Sequence, residues 1–450
     1  MTYNNTNGRT PAQTDLLPNL MKPNLKAHFP FLIFLLLYST FFFSGINSVP
    51  FHPDESTYIH YSRELKRYLT EPLSLAWGGT HPISEDLRHR MIDAPLVRYT
   101  IGIYPLVTGR ETTTANWDWG KSWEENKAAG ALPSRELLHR SRLLVAASVP
   151  VGMLLIYLTG RNYQGWLSGW LAAVLMGFNP LILLHGRRAM AEGLILLTVS
   201  AFLWLTSREK INPSLLGAAA ALALNAKQST LVLIPLGFLA VSWESLENRS
   251  FSQFIKRISS YLAAALILTW LLNPIIWKHP VETIAQVWEL RSSLTALQTA
   301  DLYQGAAPNL FRRSLILIMN LFTTPPRIAD VGNYLEKTYQ AAERYLSNPL
   351  HKILRGLIPG GIILALTSVG FYRMIKEIHW NHFIKDHKRP LLLLGTALQA
   401  AGLIIFVPLP WQRYVIPLIP FLTLLLAVGL EPFFPTLGLM NGAYQRDNEA

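Results

Sequence analysis

The run FPFLIFLLLYSTFFFSGINSVPFHPDESTYIHY, Phe29 to Tyr61, joins two unlike kinds of sequence. From Phe29 to Pro53 it carries no Asp, Glu, Lys or Arg, and then Asp54 and Glu55 arrive together. An uncharged apolar run of about 18 residues or more is long enough to span a bilayer as a helix. Leu143 to Gly160 and Pro390 to Gln412 are also free of these charged residues. Charged residues make up only 15% of the 450-residue chain, against roughly 25% in an average soluble protein. The expected fold is an all-α polytopic membrane protein, with its acidic pair where the chain leaves the first helix.

That helix is expected over Ala27–Ile46. It follows a tail, residues 1–26, rich in Asn, Thr and Pro, which reads as disordered and cytoplasmic with Lys22 and Lys26 beside the membrane. With no small-residue cleavage site, the helix reads as a retained anchor. The positive-inside rule then puts Asp54 and Glu55 on the outer face. A first outer loop, residues 47–142, holds many Trp and Tyr and a short apolar piece, Ala94–Thr108, that carries Arg98 and reads as interfacial. Further helices are expected near Leu143–Gly160, Trp166–Leu184, Glu192–Leu205, Ile211–Leu224, Ser229–Trp243 and Ile258–Trp277. A second outer loop, residues 278–352, contains Leu315–Phe322, which is short for a span. Gly356–Tyr372, Pro390–Pro408 and Tyr414–Leu430 complete about ten spans, and residues 431–450 form a cytoplasmic tail. The transmembrane unit is residues 27–430, and no internal repeat is visible in it.

The net charge of +12 falls mostly in short loops between apolar runs. That pattern suits cytoplasmic loops against anionic headgroups rather than nucleic acid. Without cysteine the chain has no disulfide, zinc–thiolate or thiol redox chemistry. The compact chain favours a plasma (inner) membrane of a prokaryote.

The expected topology gathers several polar motifs at the outer face. Arg187, Arg188 and Glu192 lie in HGRRAMAE, Lys227 and Gln228 in ALNAKQST, and Arg413 in PLPWQRY. Ionisable residues at membrane depth are costly and usually face a water-filled cavity or a functional path. Two carboxylates beside fixed cations suit a reaction on a phosphate-bearing lipid. The cations offset charge on the departing phosphate, and a carboxylate takes a proton from the incoming group. Plainer uses exist for each. Asp54 caps a helix starting near Glu55, Arg188 and Glu192 form a surface pair four residues apart, and Lys227 snorkels to headgroups. Arg413 is harder to explain away, because Pro408, Pro410 and Trp411 fix its turn. His52, His60 and His81 have no metal-ligand spacing.

Together these motifs resemble the membrane glycosyltransferases of the C-type fold, in the branch of protein O-mannosyltransferases and bacterial lipid A aminoarabinose transferases. The likeness runs from about Ala27 to Leu430. FHPDESTY resembles the acidic motif of that family's first outer loop, and DAPLVRY, Asp93 to Tyr99, takes the place of its His-Pro-Pro-Leu segment. The stretch from Arg142 through HGRRAMAE, the turn ALNAKQST, and WQRYVIPLIPFL resemble later family segments. Asp93 and Ala94 depart from the family's His and Pro, and Ala226 stands where it has Thr.

The resemblance implies transfer of a sugar from a polyprenyl-phosphate donor to an acceptor protein, glycolipid or glycan, by a single inverting displacement. In that scheme Asp54 is the general base with Glu55 beside it, and Glu192 orients a cation or a sugar hydroxyl. Arg98, Arg187, Arg188, Lys227, Gln228, Arg413 and Tyr58 are candidates for binding the donor. A cofactor is not implied, although Asp54 and Glu55 can take a divalent metal. The competing function is a transporter or flippase of a lipid-linked sugar, and a third is a non-catalytic assembly protein. The long outer segments favour an enzyme.

Overall fold

The computed structural model describes residues 25–434 except 80, 111, 248–249, 301–306, 308, 330–333 and 379–385. The terminal tails therefore lie largely outside the described residues. Among the described residues the chain is helical without strands. Helix α1 (Leu25–Ser44) meets a first long connecting segment, which contains α2 (Pro53–Tyr61), α3 (Glu64–Thr70), α4 (Glu85–Ile92), α5 (Leu96–Thr108) and α6 (Trp123–Ala128). Helices α7 (Arg135–Ala146) and α8 (Ser148–Gln164) return across the bundle as one span. Next come α9 (Trp166–Gly177), α10 (Pro180–His185), α11 (Ala191–Thr206), α12 (Pro213–Ala226), α13 (Leu233–Glu247) and α14 (Phe251–Leu272). A second long connecting segment holds α15 (Pro280–Ala300), α16 (Leu310–Ile318) and α17 (Leu335–Ser347). Finally α18 (Leu357–Lys376), α19 (Lys388–Phe406) and α20 (Ile419–Leu430) close the bundle.

Among the described residues, six helical stretches are long and apolar enough to cross a membrane: His28–Ser48, Arg135–Gln164, Phe251–Leu272, Leu357–Lys376, Lys388–Phe406 and Gln412–Phe433. Trp166–Gly177, Ala191–Thr206, Pro213–Ala226 and Gln228–Trp243 are apolar but shorter. Two boundaries differ from expectation for local reasons. Trp166–Leu184 is interrupted where Asn179 accepts a bond from the Leu181 N–H and Pro180 opens a new helix, because proline suits the first turn of a helix and Asn its cap. Leu315–Phe322 does not form a span of its own. It divides between the end of α16 and a π-helical turn, Met319–Thr323.

Contacts sort the helix ends into two groups. At one end Arg161 lies against His28, Gln164 donates to Glu377, and Tyr163 donates to the Lys388 carbonyl. At the other end α1, α2, α7, the turn before α11, the end of α12 and the stretch Gln412–Leu418 meet around polar side chains. Glycine lets the helices between these ends approach closely. A Cβ at Gly370 would overlap the Leu425 carbonyl, and one at Gly429 would overlap the Leu366 carbonyl, so α18 and α20 are in backbone contact. Small residues at crossings are how helices pack where lipid removes the hydrophobic drive.

Candidate active site

Helix α2 is started by His52 rather than by Asp54. The His52 Nδ1 accepts the Asp54 N–H at 3.1 Å, Pro53 occupies the first turn, and Glu55 accepts the His52 N–H at 3.0 Å. This reciprocal cap fixes both carboxylates and sends them in different directions.

Glu55 turns inward and is fully buried. Arg142 donates to it through Nε and Nη2, each at 2.7 Å, and the Ala189 N–H adds a bond at 2.9 Å. The other guanidinium nitrogen of Arg142 donates to the carbonyls of Ile46 and Val49, each at 2.9 Å. Burial alone would raise the Glu55 carboxyl, but Arg142 outweighs it and holds the group below the usual range. Every strong direction around Glu55 is thus filled by protein, which makes it a joint between α2, α7 and the turn before α11.

Asp54 turns the other way, and its side chain is 23% exposed. It accepts a hydrogen bond from Arg413 and lies 3.9 Å from His52 Nδ1. Burial would raise its carboxyl, yet Arg413, with help from His52 and Lys227, lowers it to about 2. The Arg413 guanidinium lies over the Trp411 ring at 4.8 Å and near the Tyr414 ring at 5.8 Å. Lys227 sits over the same Tyr414 ring at 4.6 Å and donates to Glu192 Oε1 at 2.8 Å. Glu192 is 1% exposed, and its Oε2 has no hydrogen-bond partner among the described residues. Tyr58 projects from α2 into this group. Burial and the charges of Asp93, Asp54 and Glu192 push its phenol well above the usual value.

Five of the expected side chains therefore converge: Asp54, Tyr58, Glu192, Lys227 and Arg413. Others are placed elsewhere. Arg187 donates to the Phe42 carbonyl at 2.9 Å and lies over the Phe41 and Phe42 rings, so it closes the last turn of α1. Arg188 donates to the carbonyls of Pro50 and Ile328, joining the two long connecting segments. It is not the helical partner of Glu192, because α11 begins only at Ala191. Arg98 meets Glu64 at 3.0 Å in a buried triad whose other cation, Arg90, donates to Glu64 at 2.8 Å. Gln228 donates to the Ile92 carbonyl at 3.2 Å, which ties the Lys227 turn to the end of α4. His60 Nδ1–H donates to the Thr114 carbonyl at 2.7 Å and is held within the segment between α1 and α7.

Three participants were not singled out by sequence. Arg142 opens an apolar run with no local sign of its partner, Tyr414 looked like part of a proline-rich helix, and Asp93 looked like a substituted motif position. The Asp93 carboxylate is 3.5 Å from His89 Nδ1. Burial would raise it, but His89, Arg291 and Arg98 draw it below the usual range. Among the described residues, no group of three or more His, Asp or Glu side chains is arranged to hold a metal ion.

Beside Tyr414 a narrow apolar cleft runs between α16, α19 and the Trp411 turn. Ile316, Leu317, Leu403, Val407 and Trp411 line it, and Arg313 is the one cation among the described residues that line it.

No family model matches this chain, and no curated protein matches it. Among solved structures it is similar to ArnT from Cupriavidus metallidurans bound to undecaprenyl phosphate, at 13% identity and a TM-score of 0.48, covering 93% of this chain and 63% of that one. The apo state of the same protein gives 14% identity and 0.47, covering 90% and 60%. The apo oligosaccharyltransferase of Archaeoglobus fulgidus gives 11% identity and 0.41, covering 87% and 52%. The chain spans about three-fifths of the length of the ArnT chain and about half that of the oligosaccharyltransferase.

Proposed function

We propose that this chain is an integral-membrane glycosyltransferase that moves a sugar from a polyprenyl-phosphate donor to an acceptor at the outer face of a plasma membrane. The observation that carries this reading is the partly exposed Asp54 carboxylate beside Arg413, with Lys227 at the same Tyr414 ring. A base and two cations with access from outside are what a displacement at a phosphate-linked sugar requires.

Asp54 takes the acceptor's proton as the acceptor oxygen or nitrogen bonds to the anomeric carbon. The bond from that carbon to the phosphate oxygen breaks, its electron pair stays on the phosphate, and Arg413 and Lys227 hold the resulting charge. Entry from the face opposite the leaving group gives inversion. Glu192 keeps Lys227 over the ring, and its open Oε2 is available to a sugar hydroxyl. The apolar cleft beside Tyr414 suits the first isoprene units of the lipid.

Arg413 has two tasks in this scheme. While it holds Asp54, the carboxylate is a weak base, lowered to about 2. A phosphate that draws the guanidinium away raises the basicity of Asp54 when the donor is in place.

The test is release of free polyprenyl phosphate by purified protein given polyprenyl-phosphate sugars and membrane extract as acceptor, wild type beside Asp54→Asn. Release that requires Asp54 supports the transferase. Donor binding without cleavage, under every donor tried, overturns it and leaves a flippase.

A further inference from the structure

Helix α15 has three unlike flanks. Thr283 is fully buried, and Val287 and Leu290 pack on Trp77, Met91 and Ile275. Glu282, Gln286 and Glu289 line an open cleft with Trp77, His81 and His279. The third flank carries Val281, Ile284 and Trp288, exposed by 75%, 61% and 70%. Their spacing of three and then four residues puts them on one stripe. An apolar stripe that includes an exposed tryptophan, with carboxylates on another flank, is not a surface designed for water on all sides.

We propose that α15 lies in the outer lipid leaflet, with Val281, Ile284 and Trp288 below the headgroups and Glu282, Gln286 and Glu289 in water. Two arguments select lipid over a protein partner. The stripe follows closely in the chain an exposed apolar surface on α14, where Leu266, Ile267 and Leu271 are exposed by 69%, 59% and 47% in a helix apolar enough to span. Only the short stretch from Asn273 to His279 separates the two helices. The area is also small. Even a buried tryptophan contributes only about 150–250 Å², so three side chains fall well short of the roughly 800 Å² per partner of a stable interface. Helices that lie in the membrane interface bury such an apolar face to the depth of the headgroup–acyl boundary, and tryptophan prefers that zone.

The seating has a consequence for the site. Arg291 is three residues beyond Trp288, on the edge of α15 between the stripe and the packed side. Its Nε has no hydrogen-bond partner among the described residues, and its charge bears on Asp93. Lipid against the stripe therefore sets how far Arg291 reaches toward the outer-face carboxylates.

The chain has no cysteine, so single substitutions label cleanly. Val281→Cys and Ile284→Cys, beside Glu282→Cys and Gln286→Cys, are to be nitroxide-labelled in phosphatidylcholine vesicles. Accessibility to oxygen, which concentrates in lipid, is then compared with accessibility to a water-soluble nickel chelate. The expected result is a several-fold higher oxygen-to-nickel ratio at 281 and 284 than at 282 and 286. Equal ratios at all four positions overturn the proposal, because the stripe is then in water. Protection from both reagents, with a doubled mass by light scattering, also overturns it and assigns the stripe to a second copy. If labelling disturbs folding, quenching by brominated lipids of wild type against Trp288→Phe answers the same question. Loss of less tryptophan signal to bromolipid in the variant supports lipid contact, and an unchanged quench overturns it. None of these readouts uses catalysis, so they stand or fall apart from the transferase reading.

Discussion

Replacing Glu55 by Gln separates the two adjacent carboxylates. The substitution keeps the shape but leaves the Arg142 guanidinium, 3% exposed, without its counter-charge. Breaking a buried pair from one side costs about 3–5 kcal/mol, because a charge is left uncompensated. Unfolding entropy near 2.1 cal/mol/K per residue, over 450 residues, makes each kcal/mol worth roughly 1 °C, so the midpoint should fall by about 3–5 °C. Asp54→Asn should behave differently. Its carboxylate is partly exposed, and the Arg413 left behind still lies over Trp411; the midpoint should move by about 1 °C or less while transfer is lost. The assay is intrinsic tryptophan fluorescence against temperature in detergent, alongside donor cleavage. Removing the orphaned charge as well, in Glu55→Gln with Arg142→Met, should recover much of the lost stability. A Glu55→Gln protein that unfolds with wild type yet cleaves no donor refutes the reasoning and makes Glu55 a chemical participant.

Other outcomes follow from the same geometry. The Asp54 carboxyl is lowered from 3.8 to about 2, so its stabilising pair with Arg413 is complete above the ordinary value and is lost as pH falls through 2. The acid limb of kcat/KM for the free enzyme should accordingly lie below about pH 4, and Arg413→Gln should move it upward, as a pH–rate profile in each protein would show. Lys227→Met should raise KM for the lipid-phosphate donor about tenfold or more, equivalent to about 1.4 kcal/mol of phosphate interaction, whereas an unchanged KM would remove Lys227 from the donor site. Arg187→Met should lower stability by about 1–3 kcal/mol through the uncapped α1 carbonyls, with donor KM unchanged, measured by thermal unfolding beside a donor titration.

Much of the bundle was legible because charge-free runs of spanning length have few alternatives, and these gave α1, α8, α18 and α19 nearly in place. The start of α2 was also legible in principle. Pro53 marks a first helical position, which makes residue 52 the cap and Glu55 the reciprocal partner three residues on; Asp54 drew attention because histidine is an uncommon cap. The pairings at the site were not legible. Arg142 reaches Glu55 across 87 residues and Arg413 reaches Asp54 across 359, and no local periodicity encodes such distances.

The arginines show why cost alone is a poor guide to function. A charge at the edge of an apolar run must find compensation, and the natural inference is an anionic ligand. Main-chain carbonyls left open at helix ends supply the same compensation. Arg187 uses those of Phe41 and Phe42, and Arg355 uses those of Asn320 and Leu321 at 2.9 and 2.6 Å. Arg413 differs because the Asp54 carboxylate that accepts from it is itself partly exposed. A cation spent on backbone is committed to the fold, whereas one held by an exposed carboxylate can be given up to a phosphate. That distinction, rather than burial or position beside a helix, separates Arg413 from Arg187 and Arg355, and it predicts that a donor analogue protects Arg413 and leaves Arg187 and Arg355 unaffected.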